Sequence, residues 1–255
     1  MLKHTFLPLV LIVGYSLTAQ PKISGFSSTS TEPWKQLPAT SISIAAKNTV
    51  ADAEIQLNKP LQTIEGFGTC FNELGWTSLS LLSAADQETI LRELFAPGFG
   101  ANFTICRMPV GANDFSRQWY SYNETAGDFA MQHFSIANDK ETLIPFIRAA
   151  RHYNPKIKIW ASPWSPPSWM KTNGHYAARS VSNTNFVSEE WGMDLRGINN
   201  GLAPDKEGRE GTDMFIQDEK YFTAYANYFS RFIDAYRKEG INISMVMPQN
   251  EFNSA

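Results

Sequence analysis

The chain has 255 residues, 43% of them hydrophobic, 13% aromatic and 18% charged, and a formal net charge of −3. That is enough apolar material for one sizeable core with a small appendage, and with no basic run or Lys/Arg stripe it argues against a nucleic-acid binder. Two cysteines are too few for a disulfide framework, and four scattered histidines, none in an HExxH arrangement, suggest no zinc site.

In chain order, Lys3 and His4 precede an apolar run from Phe6 to Leu17, followed by Thr18-Ala19-Gln20. This is the layout of a secretory signal peptide over residues 1–19, cleaved near Ala19, so a secreted or periplasmic protein is expected. The run is too short for a comfortable membrane span, and with no cysteine after the cleavage region a lipid anchor there is not supported. Residues 20–38, rich in Ser, Thr and Pro, read as a linker or lead-in. Within 39–61, Ser41-Ile42-Ser43-Ile44 and Ala53-Glu54-Ile55-Gln56-Leu57 alternate at period two, which predicts a hairpin of half-buried strands.

From residue 62 the rhythm changes. Ile64 to Phe71 is a short apolar segment with glycines, and Ser80 to Phe95 reads as a helix on Leu81, Leu82, Ile90, Leu91 and Leu94. Phe103 to Met108 reads as a strand, Lys140 to Tyr153 as a helix and Ile157 to Ser162 as a strand. A polar, aromatic loop follows from Pro163 to about Gln217. Phe222, Tyr225, Phe229, Phe232, Ile233 and Tyr236 then repeat at steps of three and four, predicting a helix stopped by Gly240. Ile241 to Met247 reads as a buried strand leading into Pro248-Gln249-Asn250-Glu251.

Four strand–helix alternations imply an α/β fold of parallel βαβ units. A doubly wound sheet and a (β/α)8 TIM barrel both fit the alternation. Polar residues at strand ends, followed by long aromatic loops, favour the barrel, whose active site lies there. Four units are half a barrel, so the chain is expected to be truncated; its rival is an intact half-barrel that dimerises.

Three segments carry candidate chemistry. A glutamate at the end of a buried strand, here Glu251, has one side in an apolar environment, which raises its pKa and suits it to proton donation. The adjacent Asn250 can hydrogen-bond a substrate hydroxyl. After the preceding strand, the run from Ala161 to Gly174 projects Trp164 and Trp169 from a proline-stiffened loop, a platform for the apolar face of a sugar. After the strand before that, Arg107 can orient a carboxylate through paired hydrogen bonds, and Asp114, next to Phe115, can accept from sugar hydroxyls. A structural ion pair is the alternative for either charge. The 7 Trp, 9 Tyr and 17 Phe fit either a large aromatic core or a lined sugar cleft. Gly66-Phe67-Gly68 is no dinucleotide loop, because GxGxxG needs a glycine where Phe71 stands.

In this order and spacing, several segments together resemble glycoside hydrolase family 30, the glucosylceramidase-like retaining β-glycosidases. They are Gly66-Phe67-Gly68, Arg107-Met108-Pro109-Val110-Gly111, Asn113 to Ser116, Tyr120-Ser121-Tyr122, Ala161 to Gly174 and Gln249-Asn250-Glu251. The resemblance implies Glu251 as general acid/base and Asn250 holding a 2-hydroxyl. Asp114 and Trp164 would line the glycone pocket, and Arg107 would support the nucleophile. It also implies an early hairpin belonging to an appended β-sandwich, a β-linked glycan as substrate, and no metal or organic cofactor. Phe252 replaces the proline usual after the acid/base, and Glu73 an aspartate common after the Gly-Phe-Gly turn, which points to a subgroup. The nucleophile expected after a seventh strand is not in this chain, so the 255 residues alone are expected to be inactive. Glucosylceramide, β-1,6-glucan, xylan and small β-glucosides or xylosides remain open as substrates. A carbohydrate-binding remnant and a barrel enzyme of another clan are the rival functions, and two free thiols or one Cys70–Cys106 bond are both open.

Overall fold

The computed structural model describes residues 22–43, 50, 52–181, 187–189, 193–194, 196–208 and 214–250. The expected signal peptide over residues 1–19, Ile44 and the candidate acid/base Glu251 lie outside them. The chain divides into two compact units, Met1–Gln62 and Thr63–Ala255.

In the first unit β1 (Lys22–Ile23), β2 (Phe26–Ser27), β3 (Lys35–Gln36) and β4 (Thr40–Ser41) form two antiparallel pairs, β1 with β4 and β2 with β3. Thus three of the four strands fall in the stretch expected to be a linker. The Ser/Thr run is a turn: the Thr29 hydroxyl accepts from the Glu32 amide at 2.9 Å, and the Thr29 amide donates to the Glu32 carbonyl at 3.1 Å. Phe26 and Trp34 stack at 5.4 Å across the inner pair. The expected hairpin is not formed as read. Ser41 pairs back to Lys22, while Ala53 to Leu57 makes no strand and leaves Ile55 and Leu57 exposed.

The second unit runs α1 (Glu73–Ser80), α2 (Ala84–Phe95), β5 (Ile105–Pro109), α3 (Leu143–Tyr153), β6 (Lys158–Ser162), β7 (Val187–Ser188), β8 (Met193–Asp194), α4 (Glu219–Lys238) and β9 (Met245–Val246). The helix expected from Ser80 to Phe95 is observed from Ala84 to Phe95, and a separate helix that was not expected, Glu73–Ser80, precedes it. Asn72 caps α1, accepting from the Gly75 amide at 2.7 Å, and Ser83 caps α2, accepting from the Asp86 amide at 3.2 Å. Leu81 and Leu82, read as core positions, lie in the turn between the helices and are exposed. Two local caps outweigh the hydrophobic spacing that suggested continuity.

α4 buries Ala224, Tyr228, Phe232 and Tyr236, a row at steps of four. Of the expected face, Phe232 and Tyr236 are buried, Tyr225, Phe229 and Ile233 are partly buried against the core, and only Phe222 is exposed. An aromatic-rich helix offers two overlapping stripes, and packing sets how deeply each is buried. Gly240, at φ +76°, ends the helix in the left-handed conformation that glycine adopts without strain.

β5, β6 and β9 form one parallel sheet in that order, with Arg107 opposite Trp160 and Trp160 opposite Met245. Residues 67–71 extend it on the β5 side. A parallel bridge joins Cys70 to Arg107; the Arg107 amide donates to the Thr69 carbonyl, and the Phe71 amide to the Arg107 carbonyl. A Cβ on Gly68 would lie 1.4 Å from the Ile105 carbonyl oxygen, so only glycine permits this approach. The four segments thus neighbour one another in sequence order. Doubly wound sheets place an early strand out of sequence at a switch point, which this order excludes, whereas a (β/α)8 barrel requires it.

Strand alternation sorts the side chains. Cys106, Met108, Ile159 and Ala161 join one hydrophobic cluster with Phe71, Leu91, Phe95, Leu143, Ile147 and Phe232 from the helices. Arg107, Trp160 and Ser162 occupy the alternate positions and turn to the other face. Cys70 and Cys106 are both free thiols. Among the described residues no helix is long and apolar enough to cross a membrane.

Candidate active site

The sheet brings the strand-end residues together. The Arg107 Nε donates to the Ser162 hydroxyl at 3.0 Å, and its Nη2 donates to the Asn250 side-chain carbonyl at 2.6 Å. The guanidinium also lies 5.3 Å from the centre of the Trp160 ring. The Asn250 amide donates to the Pro163 carbonyl at 2.8 Å, and Gln249 Nε2 donates to the Trp164 carbonyl. Residues 143 positions apart in sequence are therefore clamped at one end of the sheet. Arg107 was expected to orient a carboxylate; what it holds here is the Asn250 amide, directly before Glu251.

Asp114 and Phe115 sit in a turn at the same end. The Asn113 side chain accepts from the Phe115 amide, and the Phe115 carbonyl accepts from the Leu74 amide, docking the turn on the start of α1. The Asp114 carboxylate and the Phe115 ring are exposed. Burial raises the Cys70 thiol's pKa most; the nearby Arg107 charge lowers it, and the Asp114 charge raises it again.

The two tryptophans of the third segment differ. Trp164 is half-buried beside Gln249, through its backbone carbonyl. Trp169 is built into the framework: its indole N–H donates to the Asn123 carbonyl at 3.0 Å, and its ring packs edge-on against Phe129 at 5.3 Å. A further stack, Trp119 on Tyr176 at 4.1 Å, ties the loop after β5 to the loop after β6, and was not anticipated. Nearby, burial lowers the Lys171 ammonium to about 8 while its Nζ donates to the Tyr176 carbonyl.

Two buried carboxylates also escaped the sequence reading as a site. Glu73 is fully buried and accepts from the Arg117 amide and Nε, Asn138 Nδ2 and the Thr142 hydroxyl. Asp139, equally buried, accepts from the hydroxyls of Tyr120 at 2.8 Å and Tyr122 at 2.6 Å, and from that of Tyr236. Burial drives its pKa up to about 6, and the three tyrosine donors hold it down against that. The only sequence signal was the Tyr120-Ser121-Tyr122 alternation; the partners come from α4 and from the turn before α3. Among the described residues no three or more His, Cys, Asp or Glu side chains are grouped to hold a metal ion.

Comparison with known proteins puts this geometry in context. Mouse lysosomal acid glucosylceramidase is 32% identical over 199 residues, covering 77% of this chain and 32% of its own. An endo-1,6-beta-D-glucanase of Aspergillus fumigatus is 30% identical over 200 residues, covering 76% and 36%. The solved structure of the endo-beta1,6-glucanase BT3312 superimposes with a TM-score of 0.57 at 29% identity, over 77% of this chain and 37% of that one. The chain spans about a third of the length of the curated relatives it matches. The family description "Glycosyl hydrolase family 30 TIM-barrel domain" matches residues 64–186, taking in the Gly-Phe-Gly turn, Arg107, Asp114 and the Trp164–Trp169 loop.

Proposed function

We propose that the protein is a retaining β-glycoside hydrolase with Glu251 as its general acid/base. The observation that carries this reading is the tie from Arg107 to Asn250, which anchors the residue immediately before Glu251 at the strand ends. In a retaining reaction two carboxyl groups stand about 5–5.5 Å apart. One attacks the anomeric carbon while the other protonates the leaving oxygen, then deprotonates the water that releases the glycosyl-enzyme. Glu251 takes the second role. The second carboxylate, the nucleophile, is not assigned to a residue of this sequence. Without it, Glu251 alone gives no turnover in this scheme.

Asn250 holds the hydroxyl next to the reacting carbon, and Asp114, Phe115 and Trp164 line the glycone pocket. Trp169 supports the loop beneath. The substrate class is a β-glucoside or related β-linked glycan, because relatives named glucosylceramidase and endo-1,6-beta-D-glucanase share that linkage type. No metal or organic cofactor enters the scheme. The signal-peptide layout from Lys3 to Ala19 supports a location outside the cytoplasm, with a mature N-terminus near Gln20.

The test is the anomeric configuration of the first product, followed by proton NMR with protein from the complete reading frame. Retention is expected; an inverted product would overturn the mechanism.

A further inference from the structure

We propose that Ser162 is a positioning residue that, through Arg107, determines which group of the Asn250 side chain faces the substrate. The inference rests on the β-glycosidase reading above and deepens it.

Ser162 ends β6 with no exposed surface, and its backbone carbonyl accepts from the Val110 amide at 3.1 Å, so the neighbouring strand holds it in place. Its hydroxyl accepts from Arg107 Nε at 3.0 Å. A guanidinium is planar and carries its donors in a rigid fork. Fixing Nε, with Trp160 lying 5.3 Å away, therefore fixes where Nη2 points, and it points at Asn250 Oδ1, 2.6 Å distant.

The consequence for Asn250 is chemical. Its side chain has one end that accepts and one that donates, while arginine has donors only. The end facing Arg107 must be the carbonyl, which leaves the NH2 group directed elsewhere. Among the described residues no acceptor takes Nδ2. Asn250 is thus presented as a donor, matched to a hydroxyl oxygen on the sugar. Its main chain is held independently, by the Pro163 carbonyl at 2.8 Å. Loss of the Ser162 hydroxyl frees the guanidinium to rotate about its remaining contacts. The amide then loses its fixed orientation although its backbone stays in place.

A matched pair of substrates reads this out: an aryl β-glucoside and its 2-deoxy analogue, compared by kcat/KM in the full-length protein. Wild type should prefer the parent, because only the parent carries the hydroxyl that Asn250 meets. Ser162→Ala should narrow that preference about five- to tenfold, the size expected for loosening a hydrogen bond to a developing charge, and mainly through a lower kcat on the parent. Ser162→Thr, which keeps a hydroxyl, should restore it. Should Ser162→Ala not fold, Ser162→Cys keeps the volume with a much weaker acceptor and carries the same comparison. A substitution that lowers both substrates equally would show a structural role only and overturn the inference while leaving the glycosidase reading intact. Wild type that cleaves neither substrate, nor any other β-glycoside, overturns both.

Discussion

Arg107, Ser162 and Asn250 at the strand ends, and Asp139 with Tyr120, Tyr122 and Tyr236, are two polar clusters assembled within the same unit from distant parts of the chain. Each joins a charged group to neutral hydrogen-bonding partners. In the second cluster three donors converge on one carboxylate from the loop after β5 and from α4, and the assembly closes on itself. In the first, two arginine donors are used, while no acceptor among the described residues takes the Asn250 side-chain NH2 group. Among the described residues Asp139 is the carboxylate whose pKa is raised, a property that often marks catalytic groups. Its surroundings give it no access to a substrate. An unspent donor at a strand end is here the better guide to function than a perturbed titration.

This contrast can be broken by exchanging the readouts. Glu251→Gln should reduce turnover by about 10²–10⁴-fold while leaving the unfolding midpoint unchanged, the range for removal of a general acid/base. Asp139→Ala should do the reverse. Stranding three buried tyrosine hydroxyls should cost about 3 kcal/mol or more in denaturant unfolding, with the anomeric outcome of any remaining activity unaltered. If Asp139→Ala lowered kcat without lowering stability, the division between the two clusters would fail.

A smaller effect separates them by pH. The folded protein binds the Asp139 proton more tightly than the unfolded chain does. Its stabilising contribution is therefore complete below the ordinary aspartate range, about pH 4, and is lost as pH rises through about 6. Across that window wild type should lose up to about 3 kcal/mol relative to Asp139→Asn, which cannot titrate. Taking the difference removes the background from Asp128, whose lowered pKa, about 2, acts in the opposite sense at more acid pH. Urea unfolding of both proteins at a series of pH values checks it, and a difference independent of pH would contradict it. The smallest effect lies outside both clusters: Ser83→Ala should cost about 1 kcal/mol through loss of the α2 cap, with turnover unchanged.

Legibility followed the range of the interactions involved. The strands at Phe103 to Met108 and Ile157 to Ser162 were readable because short apolar runs between turn residues leave few alternatives, and they are observed as β5 and β6. Leu81 and Leu82 misled because periodicity alone cannot see a cap that interrupts it. Phe222 misled because an aromatic-rich helix has more than one plausible buried stripe. The early ladders were missed since a Ser/Thr-rich turn and a linker share a composition.

The motifs from Gly66 to Gly68, around Arg107 and from Ala161 to Gly174 carry the family resemblance, because they depend on local residue types at set spacings. Gly68 is an instance: the close approach of Ile105 leaves no room for a side chain, so the need is written at one position. Which groups meet was decided by the tertiary structure. The Arg107–Ser162–Asn250 tie spans three strands, and the Asp139 cluster joins a loop, a turn and a helix. Such contacts depend on strand register and helix phase, which are settled by packing across the whole unit and leave no periodic trace in the chain.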